Sequence, residues 1–246
     1  MSNIIHDDAY NLAKYVPNNS IDLIIWDPPY GVGDSKLDLK NKNWKKSSEK
    51  WDKFDSIEDQ VLFYASMLDI FEPLLKPEGN IVTFGSFHNI YLIGYLIQTR
   101  GWKIVNSIVF DKINAMFNVT HSSLIEGCEH MIWASPTGKY YFDYDKSKTY
   151  TGGKQLRNVW RNSLTPNSER VGHPHQKPIW LYKRIISITC PENGVVLDPM
   201  AGSGTTCIAC ECLDREYISV ERSDEYFAMM EKRLNKYKRT NTGIFD

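Results

Sequence analysis

The sequence predicts a doubly wound α/β sheet. Two observations carry that expectation: short, nearly continuous apolar runs recur along the chain, and amphipathic helical periods lie between them. Runs of this kind are buried parallel strands with both faces covered, and strand–helix alternation from end to end builds an open sheet with helices on either side. The first run, Ile21-Asp22-Leu23-Ile24-Ile25-Trp26, stops at Asp27-Pro28-Pro29. A helix follows, with Ile57, Val61, Tyr64, Leu68, Phe71 and Leu75 on one face. Ser56 and Asp59 form its capping box, and Pro73 kinks or shortens its last turn. The next strand covers 79–85, and the next helix runs from about 88 to 100 with Gly101 as its stop. Pro178 opens a third helix carrying Leu181, Ile185 and Ile188. Strands at 194–198 and 216–221 come next. The last helix has Phe227, Met230, Leu234 and Tyr237 on one face and ends in basic residues that suit the negative end of its dipole.

The chain has 246 residues, 42% of them apolar and 24% charged, which suits one globular domain, or one with a small insertion. It excludes a disulfide miniprotein, a collagen-like rod and a disordered tail. Twenty-nine basic residues against 30 acidic ones give a net charge of −1, so no partner is held by bulk positive charge and any nucleic-acid contact must be local. No apolar run approaches the roughly 18 residues of a membrane span, and the first residues are too polar and acidic for a signal peptide. Five cysteines, odd in number and without a pairing pattern, point to a reducing cytoplasm.

Two stretches break the rhythm. Residues 31–55 are polar; from Lys36 to Lys53 seven lysines face Asp38, Glu49 and Asp52, with Trp44 and Trp51 among them. In residues 136–172, four lysines and three arginines between Lys139 and Arg170 face Asp143, Asp145 and Glu169. Loops this long in a compact domain are functional or disordered. As local basic patches they offer contacts to phosphate, and the second stretch offers Tyr, Asn, Arg and Ser side chains for reading base edges. The candidate DNA contacts are Lys45, Lys46, Trp51, Lys154, Arg157 and Arg161. Trp51 suits base stacking and loop packing equally, and Trp44 suits packing better. The basic tail from Lys232-Arg233 to Lys238-Arg239 reads as solvated surface.

Asp27-Pro28-Pro29-Tyr30, directly after a buried strand, is the strongest local signal. The Asp27 carboxylate can accept one N–H of an exocyclic amine, and a carbonyl of the Pro-Pro turn can accept the other. Proline fixes φ and offers no competing donor, while the Tyr30 ring can stack on a flipped base. The rival reading is an ordinary strand-ending turn. The second signal is Asp198-Pro199-Met200-Ala201-Gly202-Ser203-Gly204-Thr205-Thr206, between a strand and a helix, where open α/β sheets bind ligands. It lacks both dinucleotide glycine spacing and a Gly-Lys-Ser/Thr phosphate loop. Glu221 ends the following strand, about twenty residues on, where an acid can hold ribose hydroxyls; the rival is a surface acid.

Taken together, these motifs resemble the S-adenosylmethionine-dependent DNA adenine-N6 methyltransferases of the β group, in which the catalytic tetrapeptide precedes the cofactor glycine motif. The resemblance spans almost the whole chain. His6-Asp7-Asp8-Ala9 matches the segment whose acid contacts the cofactor adenine. Trp51-Asp52 matches the pair after the catalytic loop, and Phe84-Gly85-Ser86 the strand end beside the cofactor. His173-Pro174-His175-Gln176-Lys177-Pro178 matches the family's His-Pro-Thr-Gln-Lys-Pro. Met200 stands where the family usually has Phe, and His175 replaces the usual Thr, so a hydroxyl contact is lost or supplied differently.

The resemblance implies a circularly permuted, Rossmann-like seven-stranded methyltransferase sheet with a small target-recognition insertion. Residues 1–135 would form the catalytic half, 136–172 the insertion and 173–246 the cofactor half. It also implies methyl transfer to the N6 amine of a flipped adenine by Asp27, Pro28, Pro29 and Tyr30. The S-adenosyl-L-methionine site would be Asp8, Phe84, Ser86, His175, Gln176, Lys177, Asp198, Met200, Gly202, Ser203, Gly204, Thr205 and Glu221. The implied partner is double-stranded DNA, with single strands as a further substrate. A homodimer and a separately acting cognate restriction endonuclease also belong to what such families use. The alternatives are a cytosine-N4 enzyme, which usually carries Ser at position 27, a silent DNA-binding subunit, and an RNA or protein amide methyltransferase. The regions around Asn89-Ile90-Tyr91 and Tyr140-Tyr141 resemble accessory methyltransferases of GATC systems. No metal is expected: Cys207 and Cys210 fall on a helix without a zinc-finger partner pair, and the family motif accounts for His173 and His175. Nor is Ser203 a hydrolase nucleophile, since Ala201 breaks the Gly-x-Ser-x-Gly elbow.

Overall fold

A computed structural model describes residues 2–32, 50–115, 121 and 123–242. Lys45, Lys46 and Trp44 lie outside the described residues. In chain order the elements are β1 (Asn3–His6), β2 (Ile21–Trp26), α1 (Ile57–Phe71), β3 (Leu75–Gly85), α2 (Ile90–Thr99), β4 (Lys103–Lys112) and β5 (Cys128–Ser135). Then come α3 (Tyr144–Thr149), β6 (Val159–Asn162), α4 (Ile179–Thr189), β7 (Val195–Asp198), α5 (Thr205–Glu211), β8 (Glu216–Glu221) and α6 (Asp224–Thr242).

The strands form one sheet in the order β1-β8-β7-β2-β3-β5-β4-β6. From β1 to β3 every pairing is parallel; β5 runs antiparallel to both β3 and β4, and β6 is parallel to β4. The sheet therefore has eight strands, not the expected seven. Val159-Trp160-Arg161-Asn162 is too short and polar to announce itself as a strand, yet the 136–172 stretch adds it to the sheet edge as β6. Trp160 is buried there, and the Arg184 guanidinium of α4 lies over its ring and those of Tyr150 and Trp180.

Strand β2 is buried at all six positions, as its apolar run requires. Because successive side chains alternate, Leu23 and Ile25 enter the core under α4, α5 and α6, while Ile24 and Trp26 enter the one under α1 and α2. Ser56 caps α1 by accepting from the Asp59 N–H at 3.0 Å. Its buried face is Gln60, Tyr64, Met67, Leu68 and Phe71, so Ile57, expected inside, is exposed. Gly101 has φ +72°, the left-handed stop expected after α2. Cys190, Cys207 and Cys210 are buried core residues. Arg233 in the basic tail is buried too, contrary to a wholly solvated face. Among the described residues no helix is long and apolar enough to cross a membrane.

Candidate active site

Strands β2 and β7 are hydrogen-bonded neighbours running in the same direction, so their carboxyl ends lie side by side. Asp27 and the glycine loop, 171 positions apart by their residue numbers (27 and 198), thus open onto one crevice. That crevice is a cleft of about 560 Å³ lined by Asp8, Asp27, Pro28, Tyr30, Met200 and Glu221 among others. Strand β5 is antiparallel, so it delivers its first residues, including Glu129, to the same end of the sheet.

The Asp27–Tyr30 turn is braced from below. Asp52 is buried and accepts from the Tyr30 and Gly31 N–H groups at 2.6 and 2.9 Å. Tyr64 donates to the Pro29 carbonyl at 2.6 Å, and Gln60 donates to the Tyr30 carbonyl at 2.9 Å. Asn89 fixes the Tyr64 hydroxyl at 3.2 Å and accepts from the Ser86 N–H. Two carbonyls of the turn are therefore occupied, and the Pro28 carbonyl has no donor among the described residues. The Asp27 carboxylate accepts from the Tyr30 hydroxyl at 2.7 Å and from Lys177 Nζ at 2.7 Å. Burial pushes the Tyr30 phenol well above its ordinary pKa, with the neighbouring Asp27 charge adding to it, so the phenol keeps its proton and stays a donor. For Lys177, burial works against the ammonium, but the Asp27 and Glu129 carboxylates outweigh it and hold its pKa above the usual lysine value.

On the other wall, Glu221 accepts from the Gly202 and Ser223 N–H groups, both at 2.8 Å. Gly202 has φ +50°, and a Cβ there would stand 2.9 Å from His173 Nε2. Met200, Ser203, Thr205, His175 and Gln176 also line the cleft, and Trp51 meets the His175 ring edge-on at 5.8 Å. The Gln176 side chain faces the protein: it accepts from the Val171 N–H and donates to the Glu169 carbonyl. Asp198 lies beneath the loop, accepting from the Met200 N–H and the Thr206 hydroxyl, and burial raises its carboxyl to about 7. Gly204, at φ +72°, is packed against Met230. Phe84 is fully buried and stacked on Tyr182, and Ser86 caps the turn before α2; neither lines the cleft. Lys177, grouped with the cofactor residues by the motif, carries its ammonium to Asp27, while its carbonyl accepts from Thr205.

Lys154 and Arg157 are exposed before β6, at the strand's amino end. Arg161, near its carboxyl end, pairs with Asp111 at 3.4 Å. Several residues of the site were silent in the sequence: Asp52 as a brace, Gln60, Glu129, and Arg233, whose guanidinium donates to the Ser203 carbonyl and the Thr205 hydroxyl. The one usable signal was Gln60 four residues before Tyr64, a polar side chain on an otherwise apolar helix face.

The acceptor set fits S-adenosylmethionine. Glu221 and Asp8 present carboxylates to the cleft beside a glycine turn that has no room for a side chain, and the two acids suit hydroxyl and amine donors.

Residues 21–232 match the DNA methylase (N6/N4 methyltransferase) family. A type II methyltransferase of Lactococcus lactis subsp. cremoris, M2.LlaDCHI, is 35% identical over 239 residues, covering 95% of this chain and 89% of the relative. M2.DpnII of Streptococcus pneumoniae is 33% identical over 245 residues, covering 97% and 91%. Among solved structures, the M1.HpyAVI–SAM complex superposes with a TM-score of 0.71 at 29% identity, covering 96% of this chain and all of that one. The cytosine-N4-specific PvuII DNA methyltransferase superposes at 0.74 with 19% identity, covering 97% and 92%, which is a likeness of fold.

Proposed function

Starting from the fact that the chain belongs to the N6/N4 DNA methylase family and is a site-specific DNA methyltransferase using S-adenosylmethionine, we propose that its acceptor is the N6 amine of an adenine flipped from duplex DNA. The observation that carries this reading is the single cleft shared by Asp27, Pro28 and the glycine loop. When bound, S-adenosylmethionine supplies an electrophilic sulfonium methyl group. Asp27 and the unengaged Pro28 carbonyl accept the two N–H groups of the amine and aim its lone pair towards the glycine-loop wall. As the methyl's bond to sulfur breaks, its electron pair staying on the departing neutral sulfur, the nitrogen that gains the methyl becomes cationic, and the Asp27 carboxylate stabilises that charge more in the transition state than in the ground state. The braces on Pro29 and Tyr30 keep the acceptors fixed, so orientation costs little at the moment of reaction. The nitrogen then returns to neutrality by releasing one proton to water in the open cleft.

Asp8, Glu221 and the 200–205 loop are the proposed cofactor wall, and a carboxylate at position 27, where cytosine-N4 relatives usually carry Ser, supports adenine. A restriction endonuclease of the same specificity is supported by the type II naming of the relatives, and a cytoplasmic site of action by the DNA substrate. A homodimer and the GATC target remain proposals drawn from the resemblance. Methylated plasmid DNA digested to nucleosides and read by mass spectrometry tests the reading. Wild type is expected to yield N6-methyladenine, and Asp27→Ala to lower it by at least about a hundredfold, the scale on which removing an electrostatic acceptor acts. N4-methylcytosine in its place would move the enzyme to the alternative class.

A further inference from the structure

Both oxygens of Asp27 are engaged before any base arrives: Oδ1 by the Tyr30 hydroxyl and Oδ2 by the Lys177 ammonium, each at 2.7 Å. An amine seeking Asp27 still finds a second lone pair on each oxygen, but it meets a carboxylate whose charge is already shared with a cation. That cation would draw the negative charge of Asp27 away from the nitrogen just as the nitrogen turns positive, and two like charges would share one carboxylate. The ammonium cannot give up that share by losing its proton, because the two carboxylates beside it hold its pKa above the ordinary lysine value. It must move.

One destination is at hand. Glu129 arrives from the amino end of β5, lines the same cleft and stands with its Oε2 3.7 Å from Lys177 Nζ, beyond hydrogen-bond reach. That oxygen is buried and has no hydrogen-bond partner among the described residues. A buried carboxylate oxygen without a donor is costly in a finished structure and is accounted for when a second state supplies the donor. A shift of the lysine tip on the order of an ångström would give it one.

We propose that Glu129 is a positioning residue for the acceptor amine, taking the Lys177 ammonium over from Asp27 when the base enters. Lys177 is then a placeholder: it neutralises Asp27 in the empty site, and Glu129 holds it aside during transfer. The proposal rests on the methyltransferase reading, and it adds a second conformation of the site and the residue that stabilises it.

Glu129→Gln keeps the shape and removes the charge that draws Lys177 off Asp27. Its kcat for plasmid methylation is expected to fall at least tenfold, with the dissociation constant for S-adenosylmethionine, measured by calorimetry, within twofold of wild type. Glu129→Asp should recover part of the rate. In a Lys177→Met background, where no ammonium needs moving, Glu129→Gln should change kcat by less than twofold. Equal losses in both backgrounds, or a wild-type kcat for Glu129→Gln, would overturn the proposal. A turnover-free measurement separates its failure from that of the function. The side-chain NMR signals of Lys177, assigned with Lys177→Met, should shift when sinefungin and an adenine-containing duplex are added to wild type, and stay in place in Glu129→Gln. Unshifted signals in wild type overturn the swap whatever the enzyme methylates, whereas a wild type that labels no DNA overturns the functional reading while the NMR result still judges the swap.

Discussion

Gly202 shows how much one missing side chain does here. Its φ of +50° lies in the left-handed region, and a Cβ would press to 2.9 Å from His173 Nε2 while its N–H donates to Glu221 at 2.8 Å. Alanine would be strained and would push His173 and the Glu221 wall apart. Gly202→Ala is expected to raise the dissociation constant for S-adenosylmethionine at least tenfold, about 1.4 kcal/mol, in calorimetry. Unchanged affinity would show that the wall yields. Glycine at this position and Asp27 were legible because their chemistry is written in their own residue type and immediate neighbours. Glu129 was not, while Asp52 was legible only as half of a matched pair and Gln60 only as a polar residue on an apolar helix face, since none of these side chains carries a mark of the backbone or ammonium it will meet. Lys177 was legible as part of a motif, but the motif names only the residue; the fold shows that its ammonium crosses to Asp27.

At the scale of elements, the junction from β7 to α5 depends on Asp198, which ties the Met200 N–H to the Thr206 hydroxyl from beneath the glycine loop. Burial raises this carboxyl from 3.8 to about 7, with Thr206 and Met200 opposing the rise. Below about pH 4 both folded and unfolded chains hold the proton, and the group adds no pH dependence. Between about 4 and 7 the unfolded chain has released it while the folded chain has not, so stability falls as pH rises, and it levels off above 7. The full span is on the order of 4 kcal/mol. Asn at this position does not titrate. Urea unfolding across this range should therefore show the stability of wild type relative to Asp198→Asn declining from pH 4 to 7, and a flat difference would refute the buried, proton-holding carboxyl. The strands flanking such junctions, β2, β7 and β8, were readable because burial on both faces leaves an unbroken apolar run. Strands β4 and β6 were not: Lys103–Lys112 is half exposed, and Val159–Asn162 is held by the Arg184 stack and by pairing with β4.

Over the whole molecule, the direction of the strands decides which surface faces the substrate. All parallel strands end on the side of the sheet where the cleft opens, and β6, parallel to β4, ends on that side too, which puts Arg161 near that side and leaves Lys154 and Arg157 at the far one. Sequence alone could not separate these three cations, because a local charge excess has no direction until the sheet gives it one. Lys53 and Arg170 line the cleft and are exposed. With a net charge of −1 there is no bulk field to draw DNA, so affinity must come from local phosphate contacts, and Lys53 and Arg170 offer two on this rim. Each such contact adds roughly one unit to the slope of log affinity against log salt concentration. In anisotropy titrations of a duplex between about 50 and 200 mM salt, Arg170→Ala and Lys53→Ala are expected to weaken binding and flatten the slope by about one unit each. Arg161→Ala should do less, because Asp111 already shares its charge at 3.4 Å, and Lys154→Ala should leave the slope unchanged. A flattened slope for Lys154→Ala with none for Arg170→Ala would mean that DNA lies along the sheet edge and not across the strand ends, and the base would then have no direct path to Asp27.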